Sequence, residues 1–342
     1  MPCNDDLSAG LLPMAQTPAF ETLLAELQAG LRRYWETADQ ILRPCGVTLQ
    51  PYRAAAFSFA KNFFSILFLY SYQRAGIPQS RRLVYAAILQ CLRGMVTGCD
   101  NLLDDEYKPT LETDLPARGQ RFRSVVDIMV SDRVLFQILL QAARRGAIAP
   151  EQVPLAAAAS MLTMTRSGIE EAGEEGGVTE ILAPEAILQS VHHFKTGLLF
   201  QCPWDIPRVI ETMDEAQLAP LLEGLHQIGM GCQIMDDMVD MAIDVRARKH
   251  NYLVSLIQHG ASGDESAQLA DAMTSAAHVV SGALHMDLFP EAARQARQTA
   301  HRLLTRGFGL LFAREHQALT PHAIRFLAQR IGVEPAGCGT PP

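Results

Sequence analysis

Apolar positions recur every three or four residues along most of this chain, while alternating, β-branched runs are scarce. Pro and Gly punctuate that pattern. It predicts helices over about 18–42, 52–75, 79–106, 119–145, 151–172, 184–200, 213–243, 262–285, 289–315 and 320–331. The Gly-rich acidic stretch Gly173-Glu174-Glu175-Gly176-Gly177 reads as a loop, and the tail over 335–342 as disordered. No internal repeat or low-complexity linker divides the chain. The expectation is therefore an all-α helical bundle forming a single domain over 1–342.

Two acidic clusters interrupt this pattern: Asp100-Asn101-Leu102-Leu103-Asp104-Asp105-Glu106 and Asp236-Asp237-Met238-Val239-Asp240. Each closes an apolar stretch, with Leu92, Met95 and Val96 before the first and Ile228, Met230 and Ile234 before the second. In a helix, Asp100 and Asp104 share a face one turn apart, as do Asp236 and Asp240. Like charges at that spacing repel, and the C-terminal end of a helix dipole adds to the cost. A solvated acidic surface is the plain alternative. Two such pairs, each ending an apolar helix, favour carboxylates that share a cation. A hard divalent ion such as Mg²⁺ would serve, with phosphate oxygens as its remaining ligands. Two clusters facing each other across a bundle would then grip a diphosphate.

The 48% apolar content of the 342 residues suffices for a sizeable core. A net charge of −8 and a pI near 5.7 argue against a nucleic-acid partner, which calls for a basic stripe. Cysteines 3, 45, 91, 99, 202, 232 and 338 are scattered without a CxxC pair, a usage suited to a reducing cytoplasm. The N-terminus lacks a signal-peptide pattern, and no apolar run reaches the ~20 residues that span a bilayer. A soluble protein is expected, with transient membrane contact to collect or release a lipid.

The run Gly229 to Asp240 resembles the second aspartate-rich motif of trans-isoprenyl diphosphate synthases. Phe194-Lys195-Thr196-Gly197-Leu198-Leu199-Phe200 is similar to that family's Lys-Thr motif, and Cys99 to Glu106 to its first aspartate-rich motif. The three landmarks stand in the family's order, and the resemblance covers roughly residues 50–260. It implies an isoprenoid-synthase bundle around a central apolar cavity, working as a homodimer on prenyl diphosphates with three Mg²⁺ ions. An allylic diphosphate would ionise there and be attacked by isopentenyl diphosphate. By position, Asp100 and Asp104 would bridge metal ions and Asp236 would hold a third, supported by Asp240, with Asp105 and Asp237 among the metal carboxylates. Lys195 would contact the departing diphosphate, while Thr196 and Gln233 position the carbocation end of the chain.

The departures are as informative. Asn101 replaces the second aspartate of the first motif and suits a hydrogen-bonding or substrate-side role, with Asp105 and Glu106 restoring charge. In the isopentenyl diphosphate pocket Lys61 survives, but Phe64 stands where the family has arginine. Arg93 replaces a His or Gln, and Arg118 is what remains of an Arg-Arg-Gly. Among Arg246, Arg248, Lys249 and His250, Lys249 is the favoured phosphate contact after the second motif. Val96 and Met95, with Gly94 and Gly98, leave no aromatic plug and lean towards products of C20 or longer. The remodelled pocket keeps head-to-head coupling and terpene cyclisation open as alternatives, and a non-catalytic partner subunit behind them. His192 and His193 read as structural.

Overall fold

The computed structural model describes residues 10–104, 107–260, 263–274 and 284–333. Among these there is no strand, only one antiparallel bridge between Leu49 and Thr113. The chain gathers into two compact units. The first comprises Ala15–Met164 with Cys202–Leu218, and the second Met1–Met14, Thr165–Gln201 and Ala219–Pro342. No described helix is long and apolar enough to cross a membrane.

In the first unit α1 (Pro18–Leu42), α2 (Phe63–Arg74), α3 (Gln79–Leu103) and α4 (Gln120–Arg144) are followed by α5 (Gln152–Gly173), which leaves the unit after Met164. Pro18 opens α1 behind an extended Thr17, where a missing N–H costs nothing. Helix α3 lies close against α4 because Gly94 and Gly98 have no side chain. A Cβ on Gly94 would sit 2.1 Å from Ser131 Oγ, and one on Gly98 2.5 Å from Ile128. Tyr34 of α1 shares a hydrogen bond of 2.9 Å with the same Ser131. Both glycines thus serve helix packing.

The helix expected over 52–75 begins only at Phe63, after 3₁₀ turns over Ala54–Ala56 and Ala60–Asn62. Three alanines favour a helix, but the aromatics beside them decide otherwise. Phe57 stacks on Tyr52 (5.3 Å) and packs edge-on to Trp35 of α1 (5.1 Å), which draws the segment across the bundle. Below it Trp204 donates to Ser71 Oγ (3.0 Å) and Tyr72 to the Pro203 carbonyl (2.6 Å), docking the short helix Asp205–Ile210.

The second unit holds α6 (Ile187–Gly197, a π-helix), most of α7 (Glu215–Ala247), α8 (Tyr252–His259), α9 (Gly263–Thr274), α10 (Pro290–Leu311) and α11 (Thr320–Ile331). Helix α7 runs to Ala247, past the expected end near 243. Helix α10 stops at Leu311 rather than near 315, because Gln317 donates to the Gly309 and Phe312 carbonyls and closes the end. At its other end the buried Glu265 carboxylate accepts from the Glu291 and Ala292 amides (2.8 and 3.1 Å). The expected course of α9 beyond 274, and the tail over 335–342, lie outside the described residues.

One buried ion pair ties α1 to α3. Arg82 Nε and Nη2 donate to the two Glu26 oxygens (2.9 and 2.6 Å), and Nη1 to the Ile77 carbonyl (2.7 Å). Removing one partner strands a buried charge. We expect Glu26→Ala to cost about 3–5 kcal/mol in denaturant unfolding. The double change Glu26→Leu, Arg82→Met should recover most of it; a double variant no better than the single one would refute this account.

Candidate active site

The second unit brings Lys195, Thr196 and Gln233 together around a buried carboxylate, Asp237. Gln233 and Asp237 are one turn apart on α7, and Gln233 Nε2 donates to Asp237 Oδ1 (2.9 Å). The other oxygen, Oδ2, pairs with His192 Nε2 of α6 (2.9 Å) and accepts the Tyr252 amide at the start of α8 (2.6 Å). Burial opposes the charge on Asp237, yet His192 and these donors hold its pKa below the ordinary carboxylate value. The Thr196 hydroxyl donates to Gln233 Oε1, so one hydrogen-bonded line runs Thr196–Gln233–Asp237–His192. It requires α6 and α7 almost in backbone contact: a Cβ on Gly229 would lie 2.8 Å from the Thr196 carbonyl.

Asp237 therefore differs from the expectation of a metal ligand. Its oxygens are engaged by protein groups and only 3% of it is exposed. Asp236 is exposed and Asp240 half-buried. Asp244, which the sequence reading missed, falls at the next turn of the same face and could have been found by extending the i, i+4 count. Its pKa is pushed up to about 8, first by burial and then by the Asp237 and Asp240 charges, against an Asn251 hydrogen bond and Lys195. Asn251 was also missed. Its fully buried amide caps α8 through Val254 N (3.1 Å) and donates to the Asp237 carbonyl (2.6 Å) and Asp244 Oδ2 (2.8 Å).

Lys195 forms an ion pair with Glu171 of α5 (2.9 Å). Burial alone would lower its pKa, but Glu171, Asp237 and Glu174 raise it above the ordinary lysine value. After α7, Arg248 adopts φ 55° and donates to the Gly176 carbonyl (2.9 Å), which ties it to the glycine-rich loop. Lys249 is half-buried, with its charge felt at Glu174. His193 Nδ1 meets His226 Nε2 at 2.9 Å, a structural contact like that of His192.

In the first unit, Asp100 and Asp104 are both exposed at the end of α3, and Asp104 donates its amide to the Asp100 carbonyl (2.9 Å). Asn101 takes a task other than substrate contact. It is buried, accepts the Lys108 amide (2.8 Å) and donates to the Lys108 carbonyl (3.1 Å), stitching down the chain after the helix. Thr110 then donates to Asp127 of α4 (2.8 Å). Asp105 and Glu106 lie outside the described residues. Arg93 of α3, exposed like Lys61, donates to Asn62 Oδ1 (3.3 Å), and partial desolvation lowers its pKa. Phe64 is half-buried, and Arg118 is exposed in a turn with no link to Lys61 or Arg93.

The donor set suits a hard dication. Asp236, Asp240 and Asp244 follow one another at i, i+4 spacing on α7, and the raised pKa of Asp244 reflects burial first and the Asp237 and Asp240 charges after it. Among the described residues no three His, Cys, Asp or Glu side chains converge on one point. Carboxylate oxygens are the ligand type that Mg²⁺ takes, an ion that keeps water and phosphate among its ligands.

No protein-family model matches the chain, and no curated protein does. Solved structures do. A decaprenyl diphosphate synthase from Rhodobacter capsulatus is 16% identical with a TM-score of 0.61, covering 96% of this chain and 99% of that one. Heptaprenyl diphosphate synthase from Staphylococcus aureus is 13% identical with a TM-score of 0.61, covering 91% and 98%. Geranylgeranyl pyrophosphate synthetase from Pyrococcus horikoshii is 17% identical with a TM-score of 0.56, covering 95% and 99%. The chain has the all-α isoprenoid-synthase fold of these proteins.

The raised pKa of Asp244 has a sign. The folded state holds a proton that the unfolded chain releases near pH 4, so stability is lost as pH rises from there towards about 8. In EDTA, Asp244→Asn should flatten the fall in Tm over that window. Mg²⁺ at pH 8 should stabilise the parent protein more than the variant. Parallel Tm curves for the two would contradict this.

Proposed function

We propose that this chain is a divergent trans-isoprenyl diphosphate synthase, acting as one domain over 1–342 in a reducing cytoplasm. It ionises an allylic prenyl diphosphate and condenses it with isopentenyl diphosphate to a prenyl diphosphate of C20 or longer. The observation that carries this reading is the Thr196–Gln233–Asp237–His192 line with Lys195 on the same π-helix, set in a fold shared with prenyl diphosphate synthases.

Ionisation leaves negative charge on the departing diphosphate and positive charge on the allyl group. Mg²⁺, three ions in this reading, supplies charge neutralisation at the diphosphate. Asp100 on α3, Asp104 at its C-terminal end with Asp105 beyond, and Asp236 and Asp240 on α7 are the carboxylates that would hold it. Asp244 joins them, and Asp237 acts from behind as an anchor. Lys195 stays protonated across any working pH and offers its ammonium to the diphosphate. Gln233 is locked by Asp237 on one side and the Thr196 hydroxyl on the other. Its carbonyl dipole and the threonine oxygen are thereby fixed before any cation forms, so they stabilise it without reorganising. Lys249 adds a further cation on the phosphate side, and the reaction requires that water be kept from the allylic cation.

The isopentenyl diphosphate pocket is reduced to Lys61 and Arg93, with Arg118 as an outlying cation. Arg93 is a suitable phosphate ligand because a guanidinium binds oxygens in pairs. Phe64, apolar and half-buried where the family has arginine, supports a second reading. In it the enzyme needs no isopentenyl diphosphate and performs head-to-head coupling or cyclisation.

Homodimerisation belongs to the same proposal. Phe122, Val125, Met129 and Phe136 are all exposed on α4 and fall on one helical face, an apolar stripe suited to a second copy. In sedimentation, Phe122→Glu with Phe136→Glu should convert a dimer to monomers; an unchanged mass would exclude this face.

Activity is tested by pyrophosphate release from farnesyl or geranylgeranyl diphosphate with Mg²⁺, with the lipid product identified by mass. Release that depends on isopentenyl diphosphate supports elongation. Release without it supports the second reading, and no release points to a non-catalytic subunit. Asp100→Ala and Asp236→Ala should each lower turnover by several orders of magnitude while the metal-free Tm is unchanged or higher. Phe64→Arg should lower the KM for isopentenyl diphosphate.

A further inference from the structure

A cavity of about 380 Å³ opens between α1 and α4 in the first unit. Its wall carries three guanidiniums, Arg32 and Arg33 of α1 and Arg145 just after α4, with the amides of Gln40 and Gln141 and a single carboxylate, Glu36. Arg33 is half-buried. Its Nη2 donates to Gln141 Oε1 (3.1 Å) and, at 3.5 Å, to the Ile138 carbonyl. Its Nε is closed off from solvent and has no hydrogen-bond partner. Arg32 sits over the Tyr52 ring at 5.9 Å, which fixes its course along the rim. Among the described residues no ion pair neutralises Arg32, Arg33 or Arg145; Glu36, on the same helix, reaches none of them within 4.0 Å.

Burial and the nearby Arg145 charge lower the Arg33 pKa, so the pocket opposes its own cation. Uncompensated guanidiniums that retain their charge under such conditions are complementary to an oxyanion. Each presents N–H donors in a planar fork matched to pairs of phosphate oxygens. Three guanidiniums against one carboxylate leave an excess suited to a dianion or a more highly charged species.

We propose that this arginine-lined cavity is a second anion site, taking a phosphate or diphosphate group, and that it is separate from the aspartate-bearing end of α3. Gly98, two residues before Asp100, packs on Ile128 near the start of α4. Arg145 lies 17 residues further on, roughly 25 Å along the helix axis at 1.5 Å per residue. The site owes nothing to the proposed reaction, and its ligands are cations rather than metal-bound oxygens.

The test is calorimetric titration of the full chain with inorganic phosphate, pyrophosphate and, as a non-phosphate dianion, succinate. EDTA removes metal-dependent diphosphate binding, so the result does not depend on the proposed activity. Phosphate or pyrophosphate should bind, with Arg33→Met and Arg145→Met each roughly tenfold weaker. Glu36→Gln should bind several-fold more tightly, since it removes the one opposing charge. Arg145 is exposed beyond the helix end, so its variant remains informative should Arg33→Met fail to fold. No binding, binding that both arginine variants leave unchanged, or succinate binding as tight as pyrophosphate would overturn the assignment.

Discussion

One carboxylate organises the second unit. Asp237 is a buried charge in the middle of a long helix, which is tolerable only if every lone pair is answered. The answers come from three directions: Gln233 from its own helix, His192 from α6, and the Tyr252 amide from the start of α8. Asn251 completes the joint by binding the Asp237 carbonyl as it caps α8. Three chain segments far apart in sequence are registered to one another by a single side chain. Lys195 and Thr196 inherit their positions from that registration, because they sit one turn beyond His192 on the same π-helix.

The C-terminal end of α7 poses the opposite problem. Where Asp237 is satisfied, Asp244 two turns on lies beside the Asp237 and Asp240 charges, and burial first and those charges second push its pKa up to about 8. Lys195, ion-paired with Glu171, offsets part of that shift through its charge. That raised pKa costs the folded protein stability as pH rises towards about 8.

Much of the scaffold was legible. The boundaries of α1 and α11, and the place of Asp100, Asp236 and Asp240 on helices, followed from periodicity and punctuation, whereas the helix expected to run to 106 ends at Leu103 and leaves Asp104 at its C-cap. The failures have physical causes. Residues 52–62 read as helix because apolar periodicity is a local signal, whereas the aromatic docking of Tyr52 and Phe57 on Trp35 depends on a partner elsewhere in the chain. Asp237 and Asp236 are neighbours with the same side chain. Only the helix's orientation separates the buried one from the exposed one, and sequence does not carry that orientation. Asn101 was readable as a hydrogen-bonding residue, but its partner, the Lys108 backbone, was not. Glu171 gave no signal, since nothing in its surroundings along the chain announces a lysine 24 residues away.

The Glu265 carboxylate has an effect on how the molecule breathes. It supplies acceptors to the first amides of α10 from 26 and 27 residues earlier, so the cap exists only while α9 is docked. Unfastening α9 leaves those amides bare and the opening turn of α10 frayed. Opening of α9 and fraying of the first turn of α10 are thereby linked through one side chain.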